Sequence, residues 1–223
     1  MTKMKNLLVL PLLALTFSAH ADEREWLPYK KLVEELRIDK FYAIAPAERD
    51  KLTLYVSVTP ANQAIKPADV ALSVVTAEGR QPLPMSDSRL LLTPNSKWMN
   101  DDAKVWTNVP KGEKTKLEYV VTTPVPAGLQ WNYASLMSSV PQANSAVKKM
   151  AGMFSMMAPK IEVVILKFAK PAELKIQTRD GVKLYSSDAK QAIKLKFDAA
   201  MLKDNPTVTV SERPTEAELD SLD

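Results

Sequence analysis

The sequence predicts a mostly β protein, a β-rich α+β fold, built from two related β-sandwich-like modules. An N-terminal helix precedes the modules, and a central Met-rich helical connector joins them. Three observations predict this architecture. Short runs alternate apolar and polar residues at period two, Pro and Gly separate the runs, and one order of short motifs occurs twice.

The first 21 residues have the three parts of a secretory signal peptide. Lys3 and Lys5 give a positive start, 6–17 is a mostly apolar run, and Ala19-His20-Ala21 places small residues at the cleavage site. The apolar run is shorter than the roughly 20 residues of a membrane span. We therefore expect export, to the periplasm or alternatively by full secretion, and no integral membrane span.

Cleavage after Ala21 excludes several chemistries. It removes the only histidine, His20, and the chain has no cysteine. Ser-His-Asp hydrolysis, Cys-His chemistry and zinc sites built on His or thiolate then lack their residues. The basic count falls from 30 to 28 against 26 acidic residues. That balance is too near neutral to predict nucleic acid or an anionic membrane surface as partner. No cofactor is expected.

The first half of the mature chain is predicted as a helical segment followed by a β module. Segment 22–49 holds an amphipathic helix over residues 23–37 and a linker, because Tyr29, Leu32 and Val33 recur at helical spacing. The first β module covers 50–127. Its strand-like runs are 52–58, 70–76, 89–92, 104–107 and 115–122.

The second half repeats this order. Residues 128–158 lose the alternation and form the predicted helical connector, which Pro141 is expected to divide. The second β module covers 159–214. Its strand-like runs are 161–168, 173–177, 182–185, 192–197 and 207–210. The acidic residues 215–223 have few apolar anchors, so a flexible tail is expected there.

The two β modules resemble each other at an offset that stays between 101 and 104 residues. Four pairs of motifs carry the resemblance: Lys66-Pro67-Ala68-Asp69 with Lys170-Pro171-Ala172-Glu173, Thr76-Ala77-Glu78-Gly79 with Thr178-Arg179-Asp180-Gly181, Ser86-Asp87 with Ser187-Asp188, and Asn100-Asp101-Asp102 with Lys203-Asp204-Asn205. A polar cap, Asn95 or Ser96 in one copy and Asp198 in the other, precedes the last pair. The nearly constant offset favours duplication over chance.

The Met-rich stretch Met150, Met153, Met156 and Met157 has three interpretations. Met150, Met153 and Met157 share a helical stripe with Val147 and Phe154, which favours packing between the two modules. The thioethers of the four methionines are also possible Cu(I) ligands. In the third interpretation an exposed apolar binding surface includes these residues: Leu136, Met137, Met150, Met153, Phe154 and Met157.

Other candidate sites are less specific. The acidic turns around Asp101 and Asp204 could bind Ca²⁺, but Asp and Asn are also common turn residues. Four aromatic residues could stack on sugars or belong to the core: Trp98, Trp106, Trp131 and Tyr133. No Gly-rich phosphate loop or Gly-x-Ser-x-Gly nucleophile motif occurs.

These observations give three functional hypotheses. The leading one is an exported, non-enzymatic binding or interaction protein of the cell envelope, whose partner is an envelope protein or a glycan. The alternative is a carboxylate-dependent enzyme acting on envelope polysaccharide, since any two Asp or Glu residues can meet in a fold. The third is Cu(I) binding through the methionines.

Overall fold

The structure, a computed structural model, describes residues 23–86 and 88–222 and has a β-rich α+β fold. The predicted signal peptide 1–21 and Asp87 of the predicted repeat lie outside these residues. Strands account for 38% and helices for 27%, so the predicted fold class is confirmed.

The described residues contain these α-helices: α1 (Tyr29–Glu35), α2 (Ile38–Ala43), α3 (Ser96–Asn100), α4 (Tyr133–Met137), α5 (Ser139–Ala151) and α6 (Ala199–Asp204). They contain these strands: β1 (Arg24–Pro28), β2 (Thr53–Pro60), β3 (Leu72–Thr76), β4 (Gly79–Pro82), β5 (Met85–Ser86), β6 (Arg89–Leu90), β7 (Lys104–Thr107), β8 (Thr115–Thr122), β9 (Gln130–Asn132), β10 (Ile161–Lys167), β11 (Glu173–Thr178), β12 (Gly181–Ser186), β13 (Ala192–Lys196), β14 (Thr207–Val210) and β15 (Glu216–Ser221).

The strands form three antiparallel sheets around one hydrophobic core. The seven-stranded sheet has the order β13-β10-β15-β8-β2-β6-β5, and the two four-stranded sheets have the orders β1-β7-β3-β4 and β9-β14-β11-β12. Each predicted strand run coincides with a strand. In β2 the side chains alternate between buried and half-buried, which is the period-two pattern of the sequence.

Two successive copies of one arrangement account for this topology. Repeat A (24–122) and repeat B (130–221) each run through a strand, two helices, a long strand, a hairpin, a short strand, a short helix and two strands, and repeat A has one additional two-residue strand, β5, after its hairpin. In the four-stranded sheets, β1, β7, β3 and β4 occupy the same places as β9, β14, β11 and β12. The segments predicted as an N-terminal helix and a connector are therefore the equivalent first parts of the two repeats.

Unusual backbone conformations recur at equivalent positions. Gly79 and Gly181 have φ values of 126° and 132° in the two hairpin turns, and Asp102 and Asn205 have φ values of 52° and 49° after α3 and α6. A non-glycine residue seldom adopts a positive φ. Asp101 and Asp204, which directly precede the second pair, therefore lie in similar local folds.

A buried tyrosine fixes the same corner in each repeat. The Tyr29 hydroxyl accepts from the Asn95 amide (3.1 Å) and donates to the carbonyl two residues before it (3.0 Å). The Tyr133 hydroxyl accepts from the Asp198 amide (3.1 Å) and donates to the corresponding carbonyl (3.4 Å). The side chains of Asn95 and Asp198 cap α3 and α6. The repeat thus extends to α1 and α4, beyond the β modules.

The prediction of a flexible tail at 215–223 is wrong. β15 lies between β10 and β8 inside the seven-stranded sheet, and Leu219 is opposite Val121 of repeat A. Its alternating residues Ala217 and Leu219 are buried, whereas the acidic residues between them lie on the other face. The β15–β8 pairing joins the two repeats in one sheet.

Two further boundaries differ from the predictions. Residues 24–28 form β1 rather than the start of a helix, because they pair with β7. The helical segment divides at Ser138 rather than at Pro141, which lies in the first turn of α5. Proline is tolerated there because the first helical amides have no partner within the helix.

Candidate functional site

An apolar cleft of about 550 Å³ lies where the two repeats meet, and we call it the junction cleft. Its floor comes from neighbouring strands of the seven-stranded sheet: Leu54 of β2, Leu117 and Val121 of β8, and Leu219 of β15. Val121 is opposite Leu54 on one side and Leu219 on the other, so their side chains share one face. Both repeats contribute to this floor.

Helix α5 forms one wall of the junction cleft through the half-buried Val147 and Met150. Arg37, between α1 and α2, fixes the end of this helix. Its guanidinium group donates to the carbonyls of Met150 (2.8 Å) and Ala151 (3.3 Å). Carbonyls in the last turn of a helix have no partner within it, and a cation is favourable there. A residue of repeat A therefore positions a helix of repeat B.

Polar groups are confined to the rim of the junction cleft. The half-exposed Tyr119 donates from its hydroxyl to the Leu36 carbonyl (2.7 Å). Burial raises the pKa of this hydroxyl, and the charge of Arg37 opposes that effect. Glu118 and Asp220 also line the cleft. An apolar recess with a few polar groups, within the roughly 300–1,000 Å³ of ligand pockets, is typical of a binding site.

The chain turns sharply after α5. Gly152 has a φ of 58°, and a 3₁₀ helix, Gly152–Met157, follows; we call it the Met turn. Its large apolar side chains are strongly exposed: Met153 by 94%, Phe154 by 61%, Met156 by 97% and Met157 by 85%. The prediction that these residues pack into the core is wrong, because α5 ends before them and the helical stripe is interrupted.

The predicted apolar binding surface is divided between three places. Leu136 and Met137 are buried in the core on α4, so their assignment to an exposed surface is wrong. Met150 lines the junction cleft. The other predicted residues lie on the Met turn. Cu(I) binding through the four methionines stays a prediction.

The acidic turns make ordinary ion pairs. Asp102 pairs with Lys104 (2.8 Å) and Asp204 with Arg179 (3.2 Å). Across 23–86 and 88–222, no group of three or more His, Cys, Asp or Glu residues could hold a metal ion. The acidic residues of the two turns therefore have the geometry of ordinary turn residues.

Glu216 and Glu218 of β15 form a carboxylate pair held between two cations. Arg89 contacts them at 2.6 and 3.2 Å, and Lys167 at 3.3 and 2.7 Å. Burial raises the pKa of Glu216, but the hydrogen bonds and charges of Arg89 and Lys167 outweigh it and lower the pKa. A glycosidase acid requires a raised pKa, so Glu216 does not fit that role.

The four candidate sugar-stacking aromatics lie in separate environments. Trp98 packs edge-on against Tyr29, with ring centroids 5.2 Å apart, and the guanidinium of Arg80 lies 5.0 Å from the Trp106 ring. Trp131 and Tyr133 are buried. These side chains support the fold rather than one stacking platform.

Apart from Met150, sequence reasoning missed the residues that build the junction cleft. The alternation of Leu117, Tyr119 and Val121 identified a strand, but not the strand beside it. Arg37 carried no distinguishing pattern, because its role depends on where α5 ends. The missing information is the β8–β15 pairing, which brings together residues about one hundred positions apart.

No helix among the described residues is long and apolar enough to cross a membrane. A family model described as "Protein of unknown function (DUF2987)" matches residues 25–168. The matched region covers repeat A and repeat B up to the end of β10. Neither a curated protein nor a solved structure matches the chain.

Proposed function

We propose that this chain, which belongs to the DUF2987 family, is an exported, non-enzymatic binding protein of the cell envelope that binds an apolar ligand in the junction cleft. One observation carries the proposal. The cleft stays open between α5 and the rim, and its apolar lining includes half-buried side chains from both repeats: Leu117, Val121, Val147 and Met150. Leaving such a surface uncovered costs stability, and binding recovers it.

The ligand we propose is an apolar segment of an envelope protein. A glycan is less well matched, because sugar sites combine aromatic faces with several polar groups. The junction cleft offers one aromatic residue, Tyr119, and its floor is aliphatic. Aliphatic walls and the flexible thioether of Met150 suit Leu, Val or Phe side chains.

Export is supported by the leader features of the sequence. The first strand, β1, begins at Arg24, shortly after the predicted cleavage site at Ala21. Cleavage there leaves every helix and strand of the described residues in place. Expression in a Gram-negative host should give a periplasmic product, and its intact mass should match a chain that begins at Asp22. A full-length product in the cytoplasm contradicts export.

A fluorescence titration with N-phenyl-1-naphthylamine tests the cleft itself. This neutral apolar probe brightens when it leaves water, so saturable brightening is expected with the mature protein. Val147→Trp places a large ring where α5 borders the junction cleft and should weaken probe binding at least tenfold.

The matched control is Val182→Trp. Val182 is an exposed apolar residue on β12, outside the cleft. This variant should bind the probe like the wild type. Equal binding by both variants, or no saturable binding by the folded wild type, contradicts the proposed site.

The enzyme alternative receives less support. The carboxyl groups of Glu162, Asp188 and Glu216 have lowered pKa values, opposite to the shift of a catalytic acid. Glu162 is lowered by Lys160, and Asp188 by the Ala192 amide. These carboxylates have structural partners.

A further inference from the structure

The Met turn lies in a segment where the two repeats differ in length. Between α1 and β2 repeat A has residues 36–52, whereas between α4 and β10 repeat B has 138–160, six residues more. Repeat A has a three-residue 3₁₀ helix, Pro46–Glu48, at the equivalent position, and its α2 is shorter than α5. The large apolar side chains of the Met turn have no counterpart in that 3₁₀ helix.

The shape of the Met turn suits contact with a flat, deformable surface. Its apolar side chains project from a convex turn instead of lining a groove. A protein partner usually receives such anchors in preformed pockets, whereas a bilayer interface accepts them without a matching shape. The i→i+3 hydrogen bonds of a 3₁₀ helix satisfy part of its backbone groups, which lowers the cost of shallow insertion into lipid.

Lysines flank the Met turn on both sides. Lys148 and Lys160 line one surface groove beside α5, and Lys148 makes no ion pair with the described residues. Lys149 pairs with Glu48, and Lys160 with Glu162 (2.8 Å). These exposed pairs are weak, so lipid phosphates can compete for the ammonium groups. The near-neutral net charge of the whole chain does not reveal this local cluster of three lysines.

We propose that the Met turn inserts into the interface of an anionic lipid bilayer, with Lys148, Lys149 and Lys160 contacting lipid phosphates. Apolar insertion supplies the binding and the lysines add selectivity for anionic lipid. Met150 and Ala158, at the two ends of the Met turn, line the junction cleft. Insertion therefore holds the cleft at the membrane surface. This inference does not depend on what the cleft binds.

Vesicle flotation tests the insertion. The mature protein is mixed with vesicles of phosphatidylcholine alone or of an equimolar mixture of phosphatidylcholine and phosphatidylglycerol. Wild type should float with both and more strongly with the anionic vesicles. The triple variant Met153→Ser, Phe154→Ser, Met156→Ser should partition at least tenfold less.

The control variant is Val182→Ser with Leu184→Ser, which removes two exposed apolar side chains from β12. It should float like wild type. Since all substituted residues are exposed, circular dichroism should show native spectra for both variants. If wild type does not float, or if the triple variant floats equally, the proposal is wrong. A triple variant that loses only self-association, with no flotation of wild type, identifies a protein interface instead.

Two further measurements separate the apolar and the charged contributions. Lys148→Gln with Lys160→Gln should weaken flotation with anionic vesicles and leave phosphatidylcholine binding unchanged. Peroxide oxidation followed by mass spectrometry should show that vesicles protect Met153 and Met156, but not the half-buried Met99. Unchanged oxidation of Met153 and Met156 in protein that floats contradicts insertion through the Met turn.

Discussion

Replacing Tyr133 by Phe tests the corner that both repeats share. The change removes one hydroxyl, which accepts from the Asp198 amide and donates to the Lys196 carbonyl. Each hydrogen bond contributes about 1 kcal/mol, so the free energy of unfolding should fall by about 2 kcal/mol. Tyr29→Phe removes the equivalent pair and should have a similar effect.

Equilibrium unfolding in urea, followed by far-ultraviolet circular dichroism, measures both losses. With a denaturant slope of about 2 kcal/mol per molar, each variant should shift the midpoint by about 1 M. The control is Tyr55→Phe, because the half-buried Tyr55 makes no hydroxyl hydrogen bond to the described residues. Its midpoint should stay within about 0.3 M of wild type.

Two results refute this reasoning. If both corner variants behave like Tyr55→Phe, the tyrosine hydroxyls do not support the caps of α3 and α6. If Tyr133→Phe is strongly destabilised and Tyr29→Phe is unchanged, the two corners are not equivalent, although their hydrogen bonds look alike.

Three more predictions concern stability. Burial raises the pKa of the Tyr133 hydroxyl from 10.0 to about 12. As pH rises, the unfolded chain therefore loses the hydroxyl proton before the folded chain does. The folded state thus has roughly 2–3 kcal/mol of extra stability below pH about 10, and this contribution is lost as pH rises to about 12. The wild-type urea midpoint should fall more steeply over that range than the midpoint of Tyr133→Phe, and parallel curves contradict the shift. Deleting 216–223 should abolish cooperative unfolding, because β15 is internal to the sheet; an unchanged midpoint would restore the flexible-tail interpretation. Leu136→Ala should cost about 2–5 kcal/mol and Met153→Ala less than about 0.5 kcal/mol, and similar urea midpoints for these two variants contradict their opposite burial.

The strands were predictable because they follow local rules. Period-two alternation identified β2 and β8, and the repeated motifs that end in Gly79 and Gly181 lie at the β3–β4 and β11–β12 hairpin turns. Thr76 and Thr178 even make the same hydrogen bond to the glycine carbonyl of their turns. These features depend on a few neighbouring residues, so one sequence contains them.

The sequence also relates the starts of the two repeats. Tyr29, Leu32 and Val33 of α1 correspond to Tyr133, Leu136 and Met137 of α4 at an offset of 104 residues. This is the offset of the Lys-Pro motifs. Periodicity alone predicts that these residues are helical, but it does not connect α1 and α4 to the β modules that they precede.

The acidic residues of β15 made this last strand difficult to predict from the sequence. Ala217 and Leu219 alternate with Glu216 and Glu218, the period-two pattern of a half-buried strand. The acidic residues suggested a mobile tail, since their cationic partners come from distant strands. Arg89 and Lys167 neutralise them only after the sheet has formed.

An NMR measurement of bound N-phenyl-1-naphthylamine tests the binding site most directly. Intermolecular nuclear Overhauser effects should connect the probe to the methyl groups of Leu117, Val147 and Leu219, which come from both repeats. Contacts confined to other methyl groups, or to one repeat alone, contradict a binding site at the junction of the repeats.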